Sequence, residues 1–86
     1  MMLNSEGFSW LPNYLSRLSL PSQLAKTLRQ KIIKEHLSNG SMFPNVEDLS
    51  LKLKVNDQIV KLAYQELEEA KLGIIQKNGT FIITGK

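Results

Sequence analysis

The side chains able to do covalent or acid–base chemistry are few and poorly assembled. There is one histidine, His36, and no cysteine. Without cysteine the chain has no disulfide framework, thiolate metal site or sulfur nucleophile, a composition that fits a reducing compartment. His36 has no second ligand candidate at metal spacing and reads as a surface or boundary residue. Carboxylates occur in groups, Glu47-Asp48 and then Glu66, Glu68 and Glu69. The first pair suits a helix N-terminus, where negative charge is favoured, and the second group reads as a solvated face. No glycine-rich phosphate loop is present, and no nucleophile has a base beside it. The pattern therefore predicts no enzyme, no cofactor and no catalytic or metal residues. What remains is recognition chemistry: amides at Asn45, Asn56, Gln58 and Asn78, and lysines spread between them.

Most of those residues fall in the stretch from Phe43 to Leu67, which reads as two short helices joined by a tight turn. Asn45 is placed to cap the first, its side-chain oxygen accepting from the free N–H groups of the first turn. Val46, Leu49 and Leu53 then share one face. Asn56 is placed to cap the second, with Asp57 in a first turn where the helix dipole favours an acid. Val60, Ala63, Tyr64 and Leu67 follow at i, i+3, i+4 and i+7, the spacing of an amphipathic helix. Ala63 is small in mid-stripe and lets another helix approach. The whole stretch predicts a helix-turn-helix.

Around it, 86 residues at 42% apolar content make one domain with one modest core. No apolar run approaches the roughly 18 residues of a membrane span, and MMLNSEGF at the start lacks the pattern of a secretory signal. The expectation is a soluble, cytoplasmic protein without a membrane partner. The chain divides into an N-terminal extension, residues 1–20, and a main domain, residues 21–86. In the extension Trp10, Leu11, Tyr14, Leu15 and Leu18 share a helical stripe, with Pro12 in the first turn and Pro21 ending the segment. That predicts an extra apolar helix, either packed on the domain's own core or used as a dimer arm.

Ser22 is then placed to cap a helix that buries Leu24, Ala25, Leu28 and Ile32, while Lys26, Arg29, Lys31 and Lys34 form a solvated face. Asn39-Gly40 marks a turn, and Pro44 fixes the entry to the helix-turn-helix. Gly73 is a candidate left-handed helix cap. Ile74–Gln76 and Thr80–Thr84 read as two strands around Asn78-Gly79, a strong hairpin signal. The predicted class is α+β: a small winged helix-turn-helix with three core helices, a C-terminal β-hairpin wing and an extra N-terminal helix.

Charge is unevenly spread over this plan. The net charge is +3. Residues 1–44 carry Arg17, Lys26, Arg29, Lys31 and Lys34 against Glu6 and Glu35, and residues 71–86 add Lys71, Lys77 and Lys86. Residues 45–70 instead set Lys52, Lys54 and Lys61 against Glu47, Asp48, Asp57, Glu66, Glu68 and Glu69. The helix-turn-helix is the acidic part of the chain, which counts against simple phosphate binding.

From about Pro21 to Ile83 the sequence resembles the DNA-binding domain of GntR-type bacterial transcription regulators. The resemblance is carried by Leu28-Arg29, Gly40, Phe43-Pro44-Asn45, Leu49-Ser50, the run from Val55 to Val60, Ala63-Tyr64-Gln65-Glu66-Leu67 and the run from Asn78 to Ile82. Spacing holds without gaps from Leu28 to Leu67, and the match needs a one-residue deletion near Leu72–Lys77. The departures cluster where DNA would be touched. An arginine common in the family's second helix is Glu47, the recognition-turn arginine is Asp57, and the recognition threonine is Ile59. A position usually polar or basic is Leu62, and the first wing glycine is Lys77.

The resemblance implies a sequence-specific regulator with its second motif helix in the major groove. Gln58 is the base-reading candidate, since its amide can pair bidentately with adenine, and Ile59 could pack on a thymine methyl. Asn56 offers a helix N-terminus to a phosphate. Asn45, Lys52, Lys54 and Lys61 complete the expected contacts of the motif, and Lys77, Asn78 and Gly79 those of the wing tip. Expected partners are double-stranded DNA and a second copy of the chain, with no small-molecule effector site within this segment. Because the family's regulators carry a C-terminal effector or dimerisation region, either the chain is a domain of a longer protein or dimerisation falls to residues 8–20. The alternative is a winged helix that has lost DNA binding and serves as a protein-interaction or dimerisation module, through an apolar patch at Ile59 and Leu62.

Overall fold

Three aromatic rings from distant parts of the chain meet at the centre of the molecule. In the computed structural model, which describes residues 10–85, Phe43, Tyr64 and Phe81 are fully buried. Their ring centroids lie 6.4 Å (Phe43–Tyr64), 6.0 Å (Phe43–Phe81) and 5.3 Å (Tyr64–Phe81) apart. The three rings belong to β1 (Met42–Phe43), α3 (Asp57–Glu69) and β3 (Phe81–Ile83); the remaining elements are α1 (Leu20–Lys34), α2 (Val46–Leu53) and β2 (Gly73–Ile75). Leu24, Leu28 and Ile32 of α1, Leu49 of α2, and Val60, Ala63 and Leu67 of α3 close the core around the rings. Every apolar position expected to face inward on α1 and α3 does so.

The Tyr64 hydroxyl donates to the Pro44 carbonyl at 2.5 Å, so the one polar atom of the cluster is satisfied. Burial in this apolar setting pushes the Tyr64 phenol well above its ordinary pKa of 10.

Both helices of the central motif start where their caps require. The Asn45 side chain accepts from Asp48 N–H at 2.8 Å and the Asn56 side chain from Gln58 N–H at 2.8 Å. Between them Lys54, Val55 and Asn56 make the turn. Lys54 sits in the left-handed region (φ 57°, ψ 45°) and donates its backbone N–H to the carbonyls of Ser50 and Leu51.

The sheet is antiparallel with strand order β1-β3-β2. Met42 pairs with Ile82 and Phe43 with Phe81 on one side of β3; Gly73 pairs with Ile83 and Ile75 with Phe81 on the other. The two-residue β1 was not expected from sequence, and it turns a hairpin into a three-stranded sheet. Gly73 is not a left-handed cap. That conformation falls on Lys71 (φ 62°), while Gly73 lies within β2. A Cβ there would come within 2.2 Å of the Ile82 carbonyl oxygen and 2.5 Å of the Phe81 ring, so glycine is needed for close approach.

The N-terminal side departs furthest from expectation. Pro21 does not end a helix and Ser22 does not cap one. α1 begins at Leu20, capped by Ser19, with Pro21 in its first turn, where a missing N–H costs nothing. No helix forms over residues 10–19, and residues 1–9 lie outside the described part. Side chains take over the backbone bonds that a helix would have used. Gln23 accepts from Asn13 N–H at 2.8 Å and donates to the carbonyls of Asn13 (2.9 Å) and Leu18 (2.8 Å). Asn13 and Ser16 side chains accept from the N–H groups of Leu15 and Leu18. The stripe is therefore split: Trp10 packs on the core, while Leu11, Tyr14 and Leu15 face solvent. No helix is long and apolar enough to cross a membrane among the described residues.

Candidate nucleic-acid interface

Three chain segments converge on one side of the molecule: the start of α2, the start of α3 and the turn between β2 and β3. The turn is built by Gly79 in the left-handed region (φ 88°) and by the Asn78 side chain, which accepts from Thr80 N–H at 3.0 Å. It is tied to the helical motif by a backbone bond, Val46 N–H to the Gly79 carbonyl, at 3.1 Å. That bond satisfies one of the donors a helix N-terminus leaves open. Between the three segments lies a cleft of about 470 Å³ lined by Asn45, Val46, Glu47, Asp57, Lys77, Asn78 and Gly79. The wing residues expected from sequence, Lys77, Asn78 and Gly79, and the motif residue Asn45 are thus brought together.

The face of α3 opposite the core presents Asp57, Gln58, Lys61, Leu62 and Gln65 to solvent. Lys52, Lys54, Lys61 and Lys77 are exposed, and none has a side-chain hydrogen bond or ion pair among the described residues. The Gln58 side chain is equally uncommitted; only its backbone N–H is used. Asn45, Asn56 and Asn78 differ from it. Each spends its side-chain oxygen on a local cap or turn, which leaves the amide N–H₂ as a donor for an outside acceptor. Ile59, expected on the outer face, is half-buried and packs against the core. Of the expected Ile59/Leu62 patch only Leu62 is exposed, at 38%.

The acidity of the motif also looks different in three dimensions. Glu66 is turned toward α1, accepting from the Ser22 hydroxyl at 2.8 and 2.9 Å, and Glu68 accepts from Ile75 N–H at 2.9 Å. Two of the acids that weighed against phosphate binding are thereby engaged elsewhere in the fold. Glu47 and Asp57 remain in the cleft. The sequence placed both in the first turns of the two motif helices, where they are found; what it did not show is that the two turns face one cleft, because that depends on how α2, α3 and the wing turn pack.

Three helices, the second and third joined by a short turn, with a hairpin fastened to the start of the second, define a winged helix-turn-helix. The chain belongs to the gntR family of bacterial regulatory proteins, whose description matches residues 20–82. It is 30% identical over 63 residues to an uncharacterized HTH-type transcriptional regulator, YhcF, of Bacillus subtilis; the match covers 70% of this chain and 50% of that protein. The chain thus spans about half the length of the curated relative it matches. Among solved structures it is similar to a transcriptional antiterminator from Listeria monocytogenes (TM-score 0.78, 28% identity, 92% of this chain and 60% of the other). It also shares its fold with YtrA of Sulfolobus acidocaldarius, a GntR-family transcription factor (TM-score 0.74, 24% identity, 86% and 79% covered). A third fold match is the DNA-binding domain of AraR in complex with operator ORX1 (TM-score 0.69, 19% identity, 87% and 94% covered).

Proposed function

We propose that this domain binds double-stranded DNA sequence-specifically for a cytoplasmic transcription regulator, with α3 in the major groove and the wing turn on the backbone or minor groove. The observation that carries the reading is the outer face of α3: Gln58 and Lys61 stand exposed with uncommitted side chains, beside the equally free Lys52, Lys54 and Lys77. Gln58 reads a base edge, adenine by preference. Lys52, Lys54, Lys61 and Lys77 neutralise phosphates, and the free amide donors of Asn45, Asn56 and Asn78 add hydrogen bonds to backbone oxygens. The AraR domain, which shares the fold, was captured on its operator, and this supports the same mode here.

A single weakly basic module of this size holds DNA loosely, so the working form is a two-fold dimer on a two-fold site. The exposed Leu11, Tyr14 and Leu15, with Leu18, supply the contact between copies, while Trp10 anchors the segment to its own core.

The test is binding to random duplex DNA at about 50 mM and about 200 mM salt, for the wild type and for Lys52→Ala/Lys54→Ala/Lys61→Ala. Affinity should fall steeply with salt, and the triple variant should lose about 0.9 of log–log slope for each phosphate contact removed. Absence of binding at the lower salt would overturn the reading. For the dimer, Leu15→Asp should shift sedimentation from dimer to monomer. A wild type that stays monomeric and still holds one half-site tightly would refute it.

A further inference from the structure

The acid at the start of the helix assigned to the groove has no structural partner. Asp57 occupies the first position of α3, is exposed, and its side chain makes no hydrogen bond or ion pair among the described residues. Capping does not require it, because Asn56 already takes the Gln58 N–H. It opens instead into the cleft between the start of α2 and the wing turn. The cleft holds two carboxylates, Glu47 and Asp57, and one lysine, Lys77, while Lys52, Lys54 and Lys61 stand exposed on α2, the connecting turn and α3.

A major groove offers a counterpart to both kinds of charge. Phosphates line its two edges, and its floor carries base donors and acceptors. A carboxylate can only accept. Guanine and thymine offer it acceptors, N7 and O6 or O4, and repel it. Adenine offers the N6 amine but sets N7 beside it. Cytosine alone presents a donor, the N4 amine, with no acceptor of its own on that edge. The N-terminal residues of a recognition helix are those that reach base edges.

We propose that Asp57 is a specificity-determining residue that accepts a hydrogen bond from the N4 amine of a cytosine in each half-site, beside the base read by Gln58. This rests on the DNA-binding reading above. The exposed lysines supply affinity, and Asp57 makes that affinity conditional on sequence. A wrong base opposite Asp57 leaves the carboxylate desolvated against acceptors, so the penalty for mismatch is large even though the reward for a match is modest.

The experiment is selection of binding sites from a random duplex library at about 50 mM salt, using the 86-residue chain, for wild type, Asp57→Ala, Asp57→Asn and Glu47→Gln. The wild type should enrich a motif with one invariant cytosine per half-site, discriminated about tenfold or more over other bases. Asp57→Ala should keep the rest of the motif, lose that preference and bind random DNA more tightly. Asp57→Asn should shift the position toward adenine. Glu47→Gln removes the same charge from the same cleft and should leave the cytosine in place. If Asp57→Ala enriches the wild-type motif unchanged, with affinity raised uniformly, Asp57 is only a repulsive charge and the proposal falls. If the wild type enriches nothing and shows no salt-dependent binding, the DNA-binding reading itself falls and takes the proposal with it. Since Asp57 has no side-chain partner, each variant should melt within a few degrees of wild type, and circular dichroism checks this.

Discussion

The two faces of α3 are made by different rules. On the inner face Val60, Ala63, Tyr64 and Leu67 are buried, and the one polar atom among them, the Tyr64 hydroxyl, has its partner in the Pro44 carbonyl. On the outer face Asp57, Gln58 and Lys61 are exposed and their side chains have no partner among the described residues. Folding has completed one face and left the other unfinished. A close-packed face tolerates little change in volume, whereas exposed polar positions can change with almost no effect on stability. The outer face is therefore free to be chosen for what it binds: Asp57 and Leu62, two of this chain's departures from the family pattern, lie there, while the inner seam keeps its spacing.

The largest expected effect lies on the closed side. Phe81→Ala removes a ring that touches both other aromatics and should cost about 3–5 kcal/mol; a loss below about 1 kcal/mol by denaturant titration would show that the aromatic cluster is not the keystone of that face. Gly73→Ala comes next. Its methyl would meet the Ile82 carbonyl, a backbone atom that cannot step aside, so strand pairing must shift at a cost of about 1–3 kcal/mol. Melting at the wild-type temperature would contradict the close approach seen at β2.

Tyr64→Phe leaves the Pro44 carbonyl without its donor and should cost about 1–2 kcal/mol at neutral pH. It also sharpens the contrast by pH. The Tyr64 phenol is raised above 10 in the fold, so the unfolded chain loses its proton first as pH climbs. The stability that its buried, neutral form contributes is complete below pH 10 and drains away above it. Wild type should lose stability on the alkaline limb faster than Tyr64→Phe, and equal slopes would mean that the phenol is not desolvated. On the open side, Gln58→Ala and Lys61→Ala should each move stability by no more than about 0.5 kcal/mol while weakening DNA binding. The smallest effect has the opposite sign: Lys54→Gly relieves a left-handed residue and should stabilise by about 0.5–1 kcal/mol, read as a rise in melting temperature, while costing one phosphate contact.

What could be read from sequence divides along similar lines. The caps at Asn45 and Asn56, the seam from Val60 to Leu67 and the Asn78-Gly79 turn were all legible, because each depends on residues within a turn or two of one another. The features that escaped depend on partners far along the chain. β1 is two residues long and exists only because β3 pairs with it. Gly73 is glycine because of Ile82 and Phe81, not because of the helix before it. Residues 10–19 have a helical stripe of apolar side chains, yet Gln23 holds them in a turn whose bonds cross from loop to α1. Of the candidate site, the lysines and Gln58 were visible as residue types in a motif. That Ile59 turns inward, and that Glu66 and Glu68 are occupied elsewhere, required the packing of α3 on its neighbours.

The single backbone bond between Val46 and Gly79 has a mechanical consequence. It ties the hairpin tip to the root of the first motif helix, so the two elements keep one spacing in this fold, like the jaws of a calliper. A duplex held by both elements, as proposed, meets them at that spacing or breaks a bond worth about 1 kcal/mol. A hairpin with a longer turn should lose that bond at a cost of about 1 kcal/mol, while Leu49 keeps the first helix on the core.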